Sequence, residues 1–188
     1  SYSELTYPLA SDVTSTQDWF YPYMRFGLSA SMVESVDGKL QPAQILTRGD
    51  ISEILYRFMQ YRAGKQTQTL LSDVENNVLS ALQLATGSDV APARYNAAHA
   101  ILAARGALSS SPNDATVKAA VKTAEGTMAL VDAADALATG DKQTTLDQTN
   151  TAWHLGAKAL EFSSALKQID MQLQDAATKM EDKARSGN

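Results

Sequence analysis

His99 and His154 are the only side chains here whose ordinary pKa suits proton transfer near neutral pH. They fall on different predicted helices with no Asp-His-Ser arrangement, so each reads as a polar helix residue. The sequence holds no His-Glu-x-x-His, no paired Glu-x-x-His, no P-loop and no dinucleotide glycine motif. Asp132 and Asp135 lie close on one helix, where such pairs usually sit in water. Asp37-Gly38 lacks the spaced oxygen ligands of a calcium loop. With no cysteine, a thiolate zinc site and a disulfide scaffold are both excluded. The inventory points away from an enzyme and implies no metal or cofactor.

One charged side chain is out of place. In Leu46-Thr47-Arg48-Gly49-Asp50, Thr47 is suited to accept from the free N–H groups of a helix start, and Asp50 puts a carboxylate at the positive end of the helix. Arg48 then occupies the first turn, where a cation opposes the dipole, and its i+4 neighbour is Ser52 rather than an acid. That placement hints at use.

The elements around this stretch follow from periodicity and punctuation. Thr14 to Asp18 can start a short helix carrying Trp19, Phe20, Tyr23, Met24 and Leu28, with Pro22 tolerable only in its first turn. Asp37-Gly38 predicts a tight turn, and Gln41-Pro42 keeps the chain extended ahead of Thr47. A second helix runs from Arg48 to about Ala63 with an apolar ladder of Ile51, Ile54, Leu55, Phe58 and Met59, and Gly64 suits its left-handed end.

Residues 1–64 hold six of the seven tyrosines, three of the four phenylalanines and three of the five prolines, whereas residues 65–188 are rich in alanine. This shift predicts two modules in contact, with a boundary near Gly64-Lys65 and no flexible linker. In the second module, helices are expected from Thr67 to Thr86, from a Ser88 or Asp89 cap with Pro92 in the first turn, and from about Pro112 to Thr139. A last helix is expected from Lys142 to about Ala184, on the order of 60 Å at 1.5 Å per residue. Its apolar stripe shifts part-way, which a kink near Gly156 or a change of neighbours would explain. The expected architecture is all-α: a small helix-loop-helix module followed by an antiparallel bundle with a long C-terminal helix. The Phe162 to Met180 stripe is expected to pack within the chain, as a compact helical arrangement needs; exposed, it would favour self-association.

The net charge is −5, and neither module carries a basic field suited to nucleic acid. No apolar run is long enough to span a membrane. Ser1-Tyr2-Ser3-Glu4 lacks an initiator methionine and an apolar leader core, as a trimmed or mature product would.

The order Asp12-Val13, Trp19 and Tyr23, Asp37-Gly38, Pro42 and Leu46-Thr47-Arg48-Gly49-Asp50 resembles the S-layer homology domain over about residues 8–63. That family's signature is an Asp-Val, a Trp in the first helix, a DG-x-F-x-P loop and a TRAE helix start. Gly49 and Asp50 depart from its alanine and glutamate, and Leu40 stands where an aromatic is common. The resemblance implies an exported, non-catalytic protein of the bacterial cell surface, tethered to cell-wall polysaccharide that is often pyruvylated. Carried over residue by residue, it implies carbohydrate binding by Arg48, with Asp12, Trp19, Gly38 and Thr47 as matching landmarks whose role is binding or structural. Free N–H groups at a helix start plus a guanidinium suit a sugar carboxylate. An alternative is that Arg48 pairs with Asp12 or Asp50 and only fixes the loop to the helix. Family members usually carry repeated copies, and no second Thr-Arg-x-acid start is present, so other copies lie upstream, homo-oligomerisation supplies them, or the module is a structural adaptor that, with the long helix, contacts a surface-assembly partner.

Overall fold

The computed structural model describes residues 8–36 and 38–186. Among these the chain is all-α, with seven helices and no strand: α1 (Tyr21–Ser29), α2 (Arg48–Arg62), α3 (Thr67–Thr86), α4 (Val90–Ser110), α5 (Ala115–Thr139), α6 (Lys142–Phe162) and α7 (Lys167–Ser186). The expectations placed on Ser1 to Glu4 and on Asp37 fall outside the described residues.

α3 to α7 form an up-and-down bundle whose successive helices pack on one another. Its middle element is α5, which touches α3, α4, α6 and α7. Small side chains make that position tenable, because α5 buries Ala119, Ala120, Ala124, Ala129 and Ala133 and lets neighbouring backbones approach closely. Leu70, Leu102, Leu130 and Leu173 fill the space between helices, each contributing about 2 kcal/mol of burial. The helix starts are chemically specified at two of the joints. Asp114 accepts from the Thr116 and Val117 N–H groups at 2.7 and 3.2 Å, and Asp141 accepts from Thr144 N–H at 3.0 Å. At α4 the expected cap is not made: Asp89 holds the cap position without a side-chain bond, and Ser88 takes a left-handed φ of 72°.

The expected long last helix is two helices. α6 ends at Phe162, Ser163 is extended, its hydroxyl accepts from Ala165 N–H at 3.1 Å, and α7 returns antiparallel. Gly156 on α6 consequently faces Gln174 and Leu173 on α7, at the place where a kink was expected. The shifted apolar stripe therefore marks two elements, and the later run, Leu166, Ile169, Leu173, Ala176 and Met180, is buried in the bundle instead of forming an exposed seam. Phe162 remains exposed at the turn.

The aromatic part of the chain lies against the bundle. Leu9, Ala10, Val13, Tyr21, Leu28 and Leu40 belong to the same apolar cluster as the bundle core. α1 begins at Tyr21, so Trp19 precedes the helix instead of riding on it. Pro22 sets that start, since its ring is tolerated only in a first turn. α1 packs on α4 at Gly106, where an added Cβ would stand 1.8 Å from the Ser29 carbonyl oxygen. The close approach is possible only without a side chain there. The expected boundary at Gly64-Lys65 falls in the turn between α2 and α3, with Gly64 at φ 66°.

α2 differs from every other helix in burying no residue. Its half-buried edge, Asp50, Ile54, Arg57, Gln60 and Tyr61, faces the module. Arg57 bonds the Ser31 carbonyl at 3.1 Å and pairs with Glu34 at 2.6 Å and Glu53 at 2.8 Å, while Tyr61 meets Phe26 edge-on with centroids 5.7 Å apart. Four of the five residues of the apolar ladder, Ile51, Leu55, Phe58 and Met59, are exposed instead.

Candidate carbohydrate-binding surface

The start of α2 is built as its residue types require. Thr47 has extended backbone, its hydroxyl oxygen accepts from Asp50 N–H at 3.2 Å, and Asp50 accepts from Thr47 N–H at 2.7 Å. This reciprocal box contributes about 1 kcal/mol to the helix start. Asp50 also accepts from the Thr47 hydroxyl at 2.8 Å. The Thr47 backbone N–H, then its hydroxyl, hold the Asp50 carboxyl below the usual carboxylate range.

Asp12 is likewise committed. Its two oxygens accept from Leu40 N–H at 2.9 Å and Gln41 N–H at 2.8 Å, and Ser11 N–H donates to the Gly38 carbonyl at 3.0 Å. Asp12 and Gly38 thus belong to one loop pair, Gly38 at φ 71° supplying a backbone that other residues rarely adopt. With both acids spent on backbone groups, the alternative pairing of Arg48 with Asp12 or Asp50 is not made. Among the described residues the Arg48 side chain, exposed on the first turn, forms no hydrogen bond or ion pair. The Arg48 and Gly49 N–H groups also have no acceptor there, and Gly49 adds no side chain to cover them. A guanidinium beside free N–H groups at a helix start can seat a carboxylate or phosphate oxygen pair.

Trp19 is 80% exposed, edge-on to Phe20 and Tyr23 at centroid distances of 5.8 and 6.3 Å. An open indole face of this kind can stack on the C–H face of a sugar ring. No bond links Arg48 with Asp12, Trp19 or Gly38 among the described residues. The structure therefore presents a loop pair, an aromatic edge and a helix start as separate features of one module. The sequence already offered the free N–H groups of the helix start, and Trp19 and Tyr23 at i, i+4 mark the aromatic edge; the edge-on contact of Phe20 with Trp19 was missed.

The other candidates for chemistry lie on the bundle helices α4, α5 and α6. His99 is buried, its Nε2 donates to the Leu9 carbonyl oxygen, and burial pushes its pKa down against the opposing pull of that bond. His154 is exposed on α6 with its ring edge-on to Trp153. Asp132 and Asp135 are both bonded by Arg94, which clasps α4 to α5. No group of three or more His, Cys, Asp or Glu residues able to hold a metal exists among the described residues, and no described helix is long and apolar enough to cross a membrane.

Comparison with known proteins brings no relative: no family model, no curated protein and no solved structure matches the chain.

Proposed function

We propose that the chain is a non-catalytic bacterial cell-surface protein whose N-terminal module, of S-layer homology type, attaches to anionic cell-wall polysaccharide. The single observation that carries this reading is Arg48, an exposed guanidinium with no partner among the described residues, on the first turn of a helix whose own acid is folded back onto Thr47. Trp19 adds a stacking face, while Asp12, Gly38 and Thr47 hold the loops that present the site. Retention on purified cell wall tests it. Wild-type chain is expected to bind and Arg48→Ala to be lost at moderate salt; equal retention of the two would refute the role of Arg48.

A second reading, an assembly subunit, is favoured by α2. Ile51, Leu55, Phe58 and Met59 share one flank, joined by Leu46 and Tyr56, and all are exposed. Contiguous apolar surface of this kind ordinarily marks a protein contact. Light scattering of wild type against Leu55→Lys/Met59→Lys separates the readings: a concentration-dependent oligomer abolished by the charges supports assembly, and a strict monomer at high concentration refutes it.

A further inference from the structure

Asn76, Ser80 and Gln83 stand at i, i+4 and i+7 on α3, so they share one face over about 10 Å of helix. Stripes of this composition are usually solvated. Here the stripe lines a concavity where the connection after α1 lies over the α3–α4 hairpin. Two cavities, of about 250 and 530 Å³, adjoin through Ser35, Asn76 and Asn77. The smaller has Leu28, Val33 and Ala103 on its walls with Asp73 and His99, and the larger continues past Ser80 and Gln83 to Leu84, Pro92 and Asn96.

The hydrogen-bonding capacity left over in this groove describes a ligand. The side chains of Asn76, Ser80 and Gln83 make no hydrogen bond among the described residues, so two amides and a hydroxyl are uncommitted. Asn77 and Asn96 spend their Nδ2 groups on the Asp73 and Pro92 carbonyls, at 2.8 and 3.2 Å, and keep Oδ1 as an acceptor. His99 gives its Nε2 proton to Leu9, which leaves Nδ1 an acceptor 3.4 Å from the Ser35 hydroxyl. Asp73 accepts from Ser31 at 2.5 Å, and Glu34 is paired with Arg57.

Among the described residues no lysine or arginine lines either cavity, which disfavours an anion. The walls are too polar for a hydrocarbon chain, and of the two acids among the described lining residues Glu34 is already paired with Arg57. What remains is a donor-and-acceptor array with apolar flanks, the complement of a molecule carrying many hydroxyls on C–H faces.

We propose that this groove binds an uncharged oligosaccharide segment about two sugar residues long, as a subsite separate from Arg48. The ligand class rests on the polysaccharide reading given above; the location does not, since Arg48 lines neither cavity. The test is titration of the full chain with cellotriose and with N-acetylchitotriose, followed through the side-chain amide signals of Asn76 and Gln83 by NMR. Saturable shifts with either trimer are expected, and a preference for the acetylated one would show that its amide is read. Asn76→Ala/Gln83→Ala, two exposed positions on α3, should weaken binding about ten-fold or more with an unchanged melting curve. Arg48→Ala should bind the trimers as wild type does. Absence of a saturable shift with both trimers at about 10 mM, or unchanged affinity in the double variant, would overturn the groove. Loss of Arg48-dependent wall retention alone would overturn only the anion site.

Discussion

Asp170→Asn should stabilise this protein at neutral pH and do little in acid. Asp170 lies in the first turn of α7, is fully buried, accepts from the Thr123 hydroxyl at 2.7 Å through Oδ1, and has no partner for Oδ2. Burial raises its pKa from 3.8 to about 6, with the Thr123 bond pulling the other way. A shift of about two units corresponds to about 3 kcal/mol at 1.36 kcal/mol per unit. The sign follows from proton binding: between the ordinary and the raised value the folded chain holds a proton that the unfolded chain has released. Asp170 therefore costs nothing below about pH 4, its cost grows as pH rises to about 6, and the full cost persists above that. Asparagine keeps the acceptor for Thr123 and removes the charge, but leaves an unmet amide donor worth about 1 kcal/mol, so a net gain of about 2 kcal/mol is expected at pH 7. Urea unfolding of both proteins, followed by far-ultraviolet circular dichroism from pH 4 to pH 7, isolates the group, because every other carboxylate cancels in the difference. In melting temperature the gain is about 4–8 °C for a chain of this length. A difference that is constant across this pH range, or a variant less stable than wild type at pH 7, would refute the reasoning.

Gly106→Ala should destabilise by about 1–3 kcal/mol, since backbone of α1 must retreat from a Cβ standing 1.8 Å from the Ser29 oxygen. Amide exchange should quicken in α1 while α6 and α7 keep their protection. His99→Ala should cost about 2 kcal/mol through the orphaned Leu9 carbonyl and a small cavity. Because burial lowers the His99 pKa, its contribution is complete above about pH 6.5 and declines as pH falls below that, where only the unfolded chain takes the proton. Chemical denaturation of both chains on either side of that pH checks the cost and the window together. Thr47→Ala should weaken the α2 start by about 1 kcal/mol, seen as faster exchange of the α2 amides with little change in global melting.

Local chemistry was legible in the sequence wherever the signal was covalently near. Thr47 with Asp50, and Gly64, each mark a helix boundary that the backbone obeys, and the 3.6-residue stripes place the helices of the bundle. The break at Ser163 was hidden because serine is neither Gly nor Pro, and because a stripe reports which face of a helix is apolar, not which neighbour covers it. For the same reason the ladder of α2 was readable as apolar but not as exposed. At the candidate site, Arg48 stood out by its conflict with the helix dipole. The commitments of Asp12 to Leu40 and Gln41, of His99 to Leu9 and of Gly106 to Ser29 join residues 28 to 90 positions apart, a separation at which sequence spacing carries no distance.

The absence of buried residues on α2 grades the molecule in local stability. α5, packed against four other helices, should open only with global unfolding, whereas α2 is fixed by Arg57, by the Phe26–Tyr61 ring pair and by its flanking turns. Its amides should exchange through a separate, low-energy opening, and Arg62 and Lys65 should be the first sites cut by a basic-residue protease. A helix so lightly held gives up few contacts when it reorients, so an encounter that covers Leu55 and Met59 can redirect it at small cost to the rest of the fold.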